Sequence, residues 1–557
     1  MNKISYYILV LFLWVCTSLS AQQGTYLIEG VVSDQFETLP GVSVFVKGKM
    51  AGTTTDINGK FSIKAARGEW LVFSYIGYET VEWLVADETK NLQITLKEAT
   101  QQIDEVVVTG VGVQRKISTL AAVTSVDTKD LQVPAPSIVN MLGGRVAGIV
   151  TLQTSGEPGK NLAEFWVRGI GTFGANSSAL VLIDGLEGDI NSIDPADVES
   201  FSVLKDASAT AVYGVRGANG VVLITTKRGE SGKLSIVGRA NFSVSHLRRL
   251  PNYLRAYDYA GLVNEALELR GERPRYNDIA MEIIKDGLDP DFYPDVDWQG
   301  EIVNPLSFKQ TYYASGRGGS DVARYFVSLG ASSESAAYKA EKDNPYASNS
   351  GYNTYSFRIN LDINLSKTTE LKFMSDAFMS INKRPGDISS TDYIWQAQAY
   401  LTPLIFPIRF SNGQFPSVNA TSGMSPYVVI NHTGNTKLHE YRSKFALTLE
   451  QDLAFITQGL KFRILGAYDR DGGYNESRYS RPALYSLEGR SNRGELITRE
   501  SVAATTEAFY NLSSQRQFRR FQLESTLNYD RVFGDDHRIG GLAYFHLSDQ
   551  FASNQSG

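Results

Sequence analysis

From Tyr355 onward the chain alternates. Tyr355, Phe357, Ile359, Leu361, Ile363 and Leu365 occupy one phase of a period-two pattern, and Ser356, Arg358, Asn360, Asp362 and Asn364 occupy the other. Successive side chains of a strand point to opposite faces, so this stretch is predicted as a strand with one apolar and one polar side. After a turn at Ser366–Glu370, Leu371, Phe373, Ala377, Met379 and Ile381 alternate again. Tyr441, Phe445, Leu447, Leu449 and Leu453 do the same opposite Arg442, Lys444, Thr448, Glu450 and Asp452. Nine such strands are predicted, near 234–245, 306–315, 321–332, 353–365, 371–382, 441–453, 460–469, 518–533 and 537–548. Connections between them run long, short, long, short to the end; 246–305 and 383–440 are long, 454–459 and 534–536 are turns. A one-sided sandwich sheet also alternates, but strict alternation of long and short connections is the pattern of an outer-membrane barrel. The 246–305 connection is predicted to carry a helix, Tyr257–Leu269.

Two smaller blocks come first. Residues 24–97 hold short β-prone runs, Leu27–Val32 and Val42–Val46, with Leu39-Pro40-Gly41 as a turn and Asn58-Gly59 supplying the positive φ of a tight hairpin. That spacing predicts a small β-sandwich. Residues 118–229 read as α+β. Asp194 followed by Pro195 is a helix start, Phe201–Leu204 a short strand, Asp206 the cap of a helix over Ala207–Tyr213, and Asn219-Gly220 a turn into the strand Val221–Thr226. Gly169-Ile170-Gly171-Thr172-Phe173-Gly174 fits G-x-G-x-x-G, but a second strand, Leu180–Ile183, follows it where a dinucleotide site needs a helix. It reads as a turn.

Composition narrows the chemistry. Cys16 is the only cysteine and the five histidines are scattered, so no disulfide, zinc motif or other metal site is expected. A net charge of −6 over 557 residues does not suggest a nucleic-acid partner. Met1–Ala21 has one cation, a short apolar run and a small-residue exit, the layout of a cleaved secretory signal. Beyond it no apolar run is long enough for a spanning helix, so entry into a membrane would require a closed barrel. The 29 Tyr and 27 Phe suit one with aromatic girdles.

Between the sandwich and the α+β block, in the stretch 98–117, lies Val106-Val107-Val108-Thr109-Gly110, a β-prone run set in polar sequence. On its own residues it reads as an edge strand of the sandwich; placed between the sandwich and the α+β block of an exported barrel chain, it is suited to pairing with another protein, where main-chain bonds give affinity and alternate side chains specificity.

Several segments carry a resemblance. "GVSVFVKG", "GTTTDINGKFSI" and "LVFSYIGYET" are similar to the carboxypeptidase-regulatory-like domain, a transthyretin-like sandwich. "DEVVVTG" (Asp104–Gly110) resembles a TonB box, and Ser192–Gly229, "NMLGGRVAGI", "VRGIGTF", "VLIDG" and "YPDVDW" (Tyr293–Trp298) resemble segments of the SusC/RagA family of TonB-dependent transporters. The resemblance implies a mainly β chain: signal 1–21, sandwich 24–97, linker 98–117 with the box at 104–110, plug 118–229, and the first part of a large antiparallel transmembrane barrel over 233–557. It implies that Asp104, Glu105, Val106, Val107, Val108, Thr109 and Gly110 bind TonB, part of an inner-membrane energising complex. A SusD-like surface lipoprotein is the implied second partner, and outer-membrane lipid surrounds the barrel. The implied function is outer-membrane import of a large solute, an oligosaccharide, with a RagA-type peptide importer or a non-transporting fragment as alternatives. The sandwich domain would face the periplasm. Asp206, Arg216 and Asn219 are candidates for lining a solute path, although capping, ion pairing and turn formation explain them too. Arg168 and Asp184 read as structural charges between plug and barrel. Family barrels are implied to have 22 strands against the nine found here. Nine strands ~4.8 Å apart and tilted ~40° close at a radius of roughly 10 Å, too narrow for a plug of about 110 residues with a radius of gyration of roughly 13 Å. The chain is therefore expected to be the N-terminal portion of a transporter.

Overall fold

The computed structural model describes residues 25–553, apart from 35–37, 48, 50–51, 76–77, 79, 87–89, 97–105, 110–111, 116–122, 127–136, 170–177, 206–209, 249, 387–389, 419–422, 506–508 and 535–536. The expected signal 1–21 lies outside the described residues. The chain divides into two compact units, one holding the N-terminal sandwich, the other the α+β block with the long strands.

In the sandwich, β1 (Thr25–Ser33) lies between β4 (Lys60–Ala66), antiparallel, and β7 (Lys90–Thr95), parallel. The facing sheet runs β3 (Gly52–Thr54), β2 (Ser43–Val46), β5 (Trp70–Ser74), β6 (Val81–Leu84). Alternate residues point inward, so Phe61, Ile63 and Ala65 of β4 are buried against Ile28, Val44 and Leu71. Phe61 meets Phe73 edge-on, with ring centroids 5.2 Å apart. The turn before β4 is held by Asp56, whose Oδ1 accepts the backbone N–H groups of Asn58 (2.9 Å) and Lys60 (2.8 Å), and Gly59 sits at φ +70°. Next along the chain, β8 (Val106–Thr109) pairs with β9 (Gly112–Arg115) in a two-stranded sheet.

The central domain is built on a five-stranded sheet. Its strands are β10 (Val123–Val126), β13 (Leu180–Ile183), β14 (Leu186–Glu187), β15 (Val198–Leu204) and β16 (Val221–Thr226), in the order β10-β15-β16-β13-β14. A hairpin of β11 (Ile149–Leu152) and β12 (Glu164–Val167) and a short helix α1 (Ile138–Leu142) pack beside it. Both faces of the sheet are covered: Val181, Ile183, Phe201, Val222 and Ile224 belong to one apolar cluster, and Leu180, Leu182, Leu204, Val221 and Leu223 to another. That is why Val221–Thr226 is a continuous apolar run and does not alternate. Asp194 does cap a turn with Pro195 in its first position, but the turn is a single 3-10 turn, Pro195–Asp197. Of the expected helix over Ala207–Tyr213, Thr210 is helical and the chain then continues as a 3-10 stretch, Ala211–Gly217, kinked at Gly214. Its expected cap, Asp206, lies outside the described residues.

The long strands form one antiparallel sheet of nine. In order these are β17 (Gly232–His246), β18 (Leu306–Gly319), β19 (Ala323–Ser335), β20 (Gly351–Asn364), β21 (Thr369–Pro385), β23 (Gly434–Asp452), β24 (Leu460–Tyr479), β27 (Phe509–Phe533) and β28 (His537–Ser553). The nine match the nine expected, each reaching farther at one end or both. The apolar phase is the exposed one: Tyr355 is 48% exposed, while Arg358, Asn360 and Asp362 are 2%, 0% and 5% exposed. A sheet in water has the opposite arrangement. Apolar-out, polar-in is what a hydrocarbon surround selects. Among the described residues no helix is long and apolar enough to cross a membrane.

The long connections carry more structure than the one helix expected. The first holds α2 (Ala256–Leu269), α3 (Asp278–Asp286) and α4 (Trp298–Ile302). Asp295 and Asp297, from the "YPDVDW" segment, start two of these helices: Asp295 accepts the N–H of Ala256 (2.8 Å) and Asp297 that of Gly300 (3.0 Å). Trp298 packs edge-on against Phe406 at 5.2 Å. The third long connection holds α5 (Asp392–Tyr400), the two-residue strand β22 (Phe415–Pro416) and α6 (Pro426–His432). The fourth holds β25 (Leu484–Arg490) and β26 (Leu496–Val502), which join β22 in a small sheet. Ile302, Ile394, Val428, Ile430 and Leu484 give these connections a shared apolar core.

Candidate functional site

The inward, polar phase of the nine strands faces the central domain, and the two meet through charge. Arg358 of β20 is the most enclosed cation. Its Nε lies 3.4 Å from Asp197 and its Nη1 3.8 Å from Asp184, both of the central domain, and its Nη2 bonds Asp376 of the neighbouring β21. Each acid is independently positioned. Asp184 ends β13 at φ +51° and accepts both the N–H (2.9 Å) and the hydroxyl (2.6 Å) of Thr226. Asp197 accepts the phenol hydroxyl of Tyr313 at 2.8 Å. Asn360, two residues along β20, donates to Thr226 Oγ1 (2.9 Å) and to the Lys227 carbonyl (2.7 Å). Burying a charge is tolerable only when it is paired, and here one guanidinium serves three carboxylates.

The same pairing repeats along the interface. Arg520 of β27 bonds Glu187 of the central domain (2.6 Å) and Asp469 of β24 (2.7 Å). Arg442 bonds Asp189, Lys444 donates to the Glu187 carbonyl, and Arg239 meets Asp194 at 3.1 Å. At the exit of the central domain Arg228 bonds Asp362 of β20 at 2.7 Å. Five acids of the central domain (Asp184, Glu187, Asp189, Asp194 and Asp197) are thus each held by a cation on the strand wall. Between them lies a charged cavity of about 320 Å³, lined by Glu187, Asp189, Arg442, Asp469, Arg516 and Arg520 among others.

A second set of contacts ties the tip of the central domain to the long connections. Glu157, between β11 and β12, accepts hydrogen bonds from Tyr338 (3.2 Å) and Thr391 (2.7 Å), and Lys160 donates to Asp392 (2.8 Å). Gly159 sits at φ +82° where a Cβ would come within 2.6 Å of Asn382 Nδ2. A side chain there would have to displace the Asn382 amide and crowd the Tyr352 ring, on a backbone conformation that already favours glycine.

Of the residues singled out in the sequence, Val106, Val107, Val108 and Thr109 form β8, whereas Asp104, Glu105, Gly110 and Asp206 lie outside the described residues. Arg216 is exposed and meets Glu187 at 3.3 Å. Asn219 is half-buried in the turn that Gly220, at φ +87°, completes before β16. Asp184 is an interface charge, as its reading had it, and Arg168 stands at φ +59° after β12. The strand-wall cations Arg239, Arg358, Arg442 and Arg520 were not singled out. The polar phase that carries Arg358 was visible, but nothing local says which of its members meets an acid.

Two family models match the chain: the CarboxypepD_reg-like domain over residues 28–108 and the TonB-dependent Receptor Plug Domain over 115–221. The TonB-dependent receptor P26 of Formosa agariphila is 30% identical over 553 residues, 97% of this chain and 50% of that protein. The TonB-dependent receptor SusC of Bacteroides thetaiotaomicron is 30% identical over 438 residues, 75% of this chain and 40% of that protein. The chain belongs to the SusC-like TonB-dependent receptors. It spans about half the length of the curated relatives it matches. Its fold is that of a solved structure of the RagAB peptide importer in an open-open state, with a TM-score of 0.61 and 20% identity over 81% of this chain and 50% of that one. The central domain of this receptor is its plug, and the nine strands belong to its barrel. The relatives are receptors, not enzymes.

Proposed function

We propose that this receptor takes part in TonB-dependent import of a large solute across the outer membrane, with the sandwich domain on the periplasmic side. One observation carries the reading: the plug is fastened to the barrel mainly by discrete ion pairs and hydrogen bonds, with one small apolar patch where Leu186 meets Met374, Ala446, Leu465 and Ala467, rather than by a continuous apolar core. Such contacts exchange for water at modest net cost, so a pull applied from outside the barrel can release them. Asp104–Gly110 is the point of attachment. Its strand β8 pairs with β9 on one side, and a TonB strand adds by pairing with β8's other side or by replacing β9. An oligosaccharide is the solute we favour, delivered under a SusD-like lipoprotein, in line with the SusC likeness. The fold shared with a peptide importer makes a peptide the second reading. Deleting Asp104–Gly110 from the receptor in its own bacterium tests the coupling. Uptake of the solute is expected to stop while the receptor's amount and thermal stability in the outer membrane stay the same. Uptake that continues overturns the proposal.

A further inference from the structure

The plug–barrel interface is divided by chemistry. On the side of β23, β24 and β27 the cavity wall is crowded with ions. On the side of β17–β20 a second cavity, of about 230 Å³, has a neutral wall. Its only charged lining groups, among the described residues, are already matched: Arg239 with Asp194 at 3.1 Å, and Lys309 with Glu334 at 3.3 Å. The remaining polar lining is hydroxyl and amide, beside apolar Met141, Leu162, Ile193, Pro195 and Ala331. In strand register Asn241 stands opposite Thr311, Thr311 opposite Ser332, Ser332 opposite Thr354, and Thr354 opposite Ser380. This makes one row of small, uncharged hydrogen-bonding side chains across five strands, all in the inward phase. The row's first four members line the cavity and are half-buried, so they form a wall and not a packed core.

The plug faces this row with groups of the same kind. Asn191 and Ser192 line the cavity from its side, and the Asn191 Oδ1 is buried without a hydrogen-bond partner. A buried acceptor left unpaired costs about 1–3 kcal/mol, so the site favours an occupant that brings a donor. Tyr352 and Phe378 add flat apolar faces to the same lining. Hydroxyl and amide ladders with aromatic faces suit a molecule of many hydroxyl groups and C–H-rich ring faces. They offer no spare charge to a terminus or an ionised side chain.

We infer that the seam between the plug and β17–β21 is a binding path for neutral, polyhydroxylated solutes, with Asn241, Thr311, Ser332 and Thr354 as its wall. The inference rests on the import reading and assigns the solute class to a place in the fold. Substituted-cysteine protection tests it. In a Cys16→Ser background, Thr311→Cys and Ser332→Cys each place one thiol on the row, and Asn492→Cys places one on the exposed turn between β25 and β26 as a control. Outer-membrane vesicles are treated with a water-soluble thiol reagent, with and without a pool of neutral gluco-, galacto- and xylo-oligosaccharides or a pool of tryptic peptides. Oligosaccharides are expected to slow labelling at both row positions several-fold and to leave Asn492→Cys unchanged. Equal or greater protection by the peptides overturns the solute class. Labelling that neither pool slows, in receptor that still accumulates oligosaccharide, overturns the site. Oligosaccharide uptake unaffected by deletion of Asp104–Gly110 defeats the import reading by itself, and protection at the row then still decides whether the seam binds sugars.

Discussion

Replacing Arg358 with Ala leaves Asp184, Asp197 and Asp376 facing one another in a buried site with their shared counter-ion gone. Breaking a buried ion pair on one side costs about 3–5 kcal/mol, and here the acids left behind repel. Arg358→Ala is expected to speed amide hydrogen exchange across Leu180–Ile183 and Val221–Thr226 by that amount. Arg216→Ala, which removes an exposed partner of Glu187, is expected to change it by less than about 1 kcal/mol. His432 gives the connections a pH dependence. Burial disfavours the charged ring and lowers its pKa from 6.5 to about 4, with Glu341 opposing the shift and Arg409 adding to it. Nε2 lies 3.1 Å from Arg409, an acceptor position that only the neutral ring can fill. The unfolded chain therefore binds more protons than the folded one between the two values. Stability is complete above about pH 6.5 and falls as the pH drops toward 4, by on the order of 3 kcal/mol in all. Glu341, which hydrogen bonds from Tyr427 and Asn344 hold below the usual carboxylate range against the effect of burial, acts in the same direction. Hydrogen exchange of α6 at pH 7 and pH 4.5 measures the change, and His432→Gln is expected to flatten it.

At the scale of the element, turn chemistry decides where strands begin. Gly59 lies at φ +70°, and a Cβ there would sit 2.6 Å from the Val32 carbonyl oxygen. Ala at this position meets both backbone strain and a clash with β1. Gly59→Ala is expected to destabilise the sandwich by about 1–3 kcal/mol, read as a lower unfolding temperature of that unit with the barrel unchanged. Asn58-Gly59 was legible from the dipeptide alone, because the geometry it supplies is local. The helices α3 to α6 were not. They are short, and two of them start from Asp or Asn caps that read equally well as loop residues. The apolar face of α3 is satisfied by α2, and those of α4 to α6 by one another, by Tyr338 and by Leu484 of β25, which the chain reaches much later.

For the whole molecule, the contacts of Glu157 and Lys160 make the plug tip and the long connections one mechanical unit. Movement of the plug must either break these bonds or draw α5 with it. Glu157→Ala removes the acceptor of Tyr338 and Thr391, and losing hydrogen bonds to a charged group costs about 1.5–3 kcal/mol. The expected outcome is faster hydrogen exchange in Asp392–Tyr400 while the five-stranded plug sheet keeps its protection. Equal loosening of both would show that the tip supports the plug rather than coupling it to the connections.

By itself the sequence determined what neighbours along the chain determine. Nine strands, their alternating long and short connections, the Asp56–Gly59 hairpin and the buried run Val221–Thr226 are all written in period, length and turn residues. So is the apolar phase at Tyr355 and Phe357, whose outward direction follows once the surround is hydrocarbon. Tertiary structure alone decided the pairings. Arg358 meets Asp184 and Asp197, Arg520 meets Glu187, and Asn241 aligns with Thr311, Ser332 and Thr354, through contacts between segments far apart in the chain. A strand's periodicity fixes which face a side chain takes. What stands opposite depends on register and on the domain that fills the space, and neither is a local property of the chain.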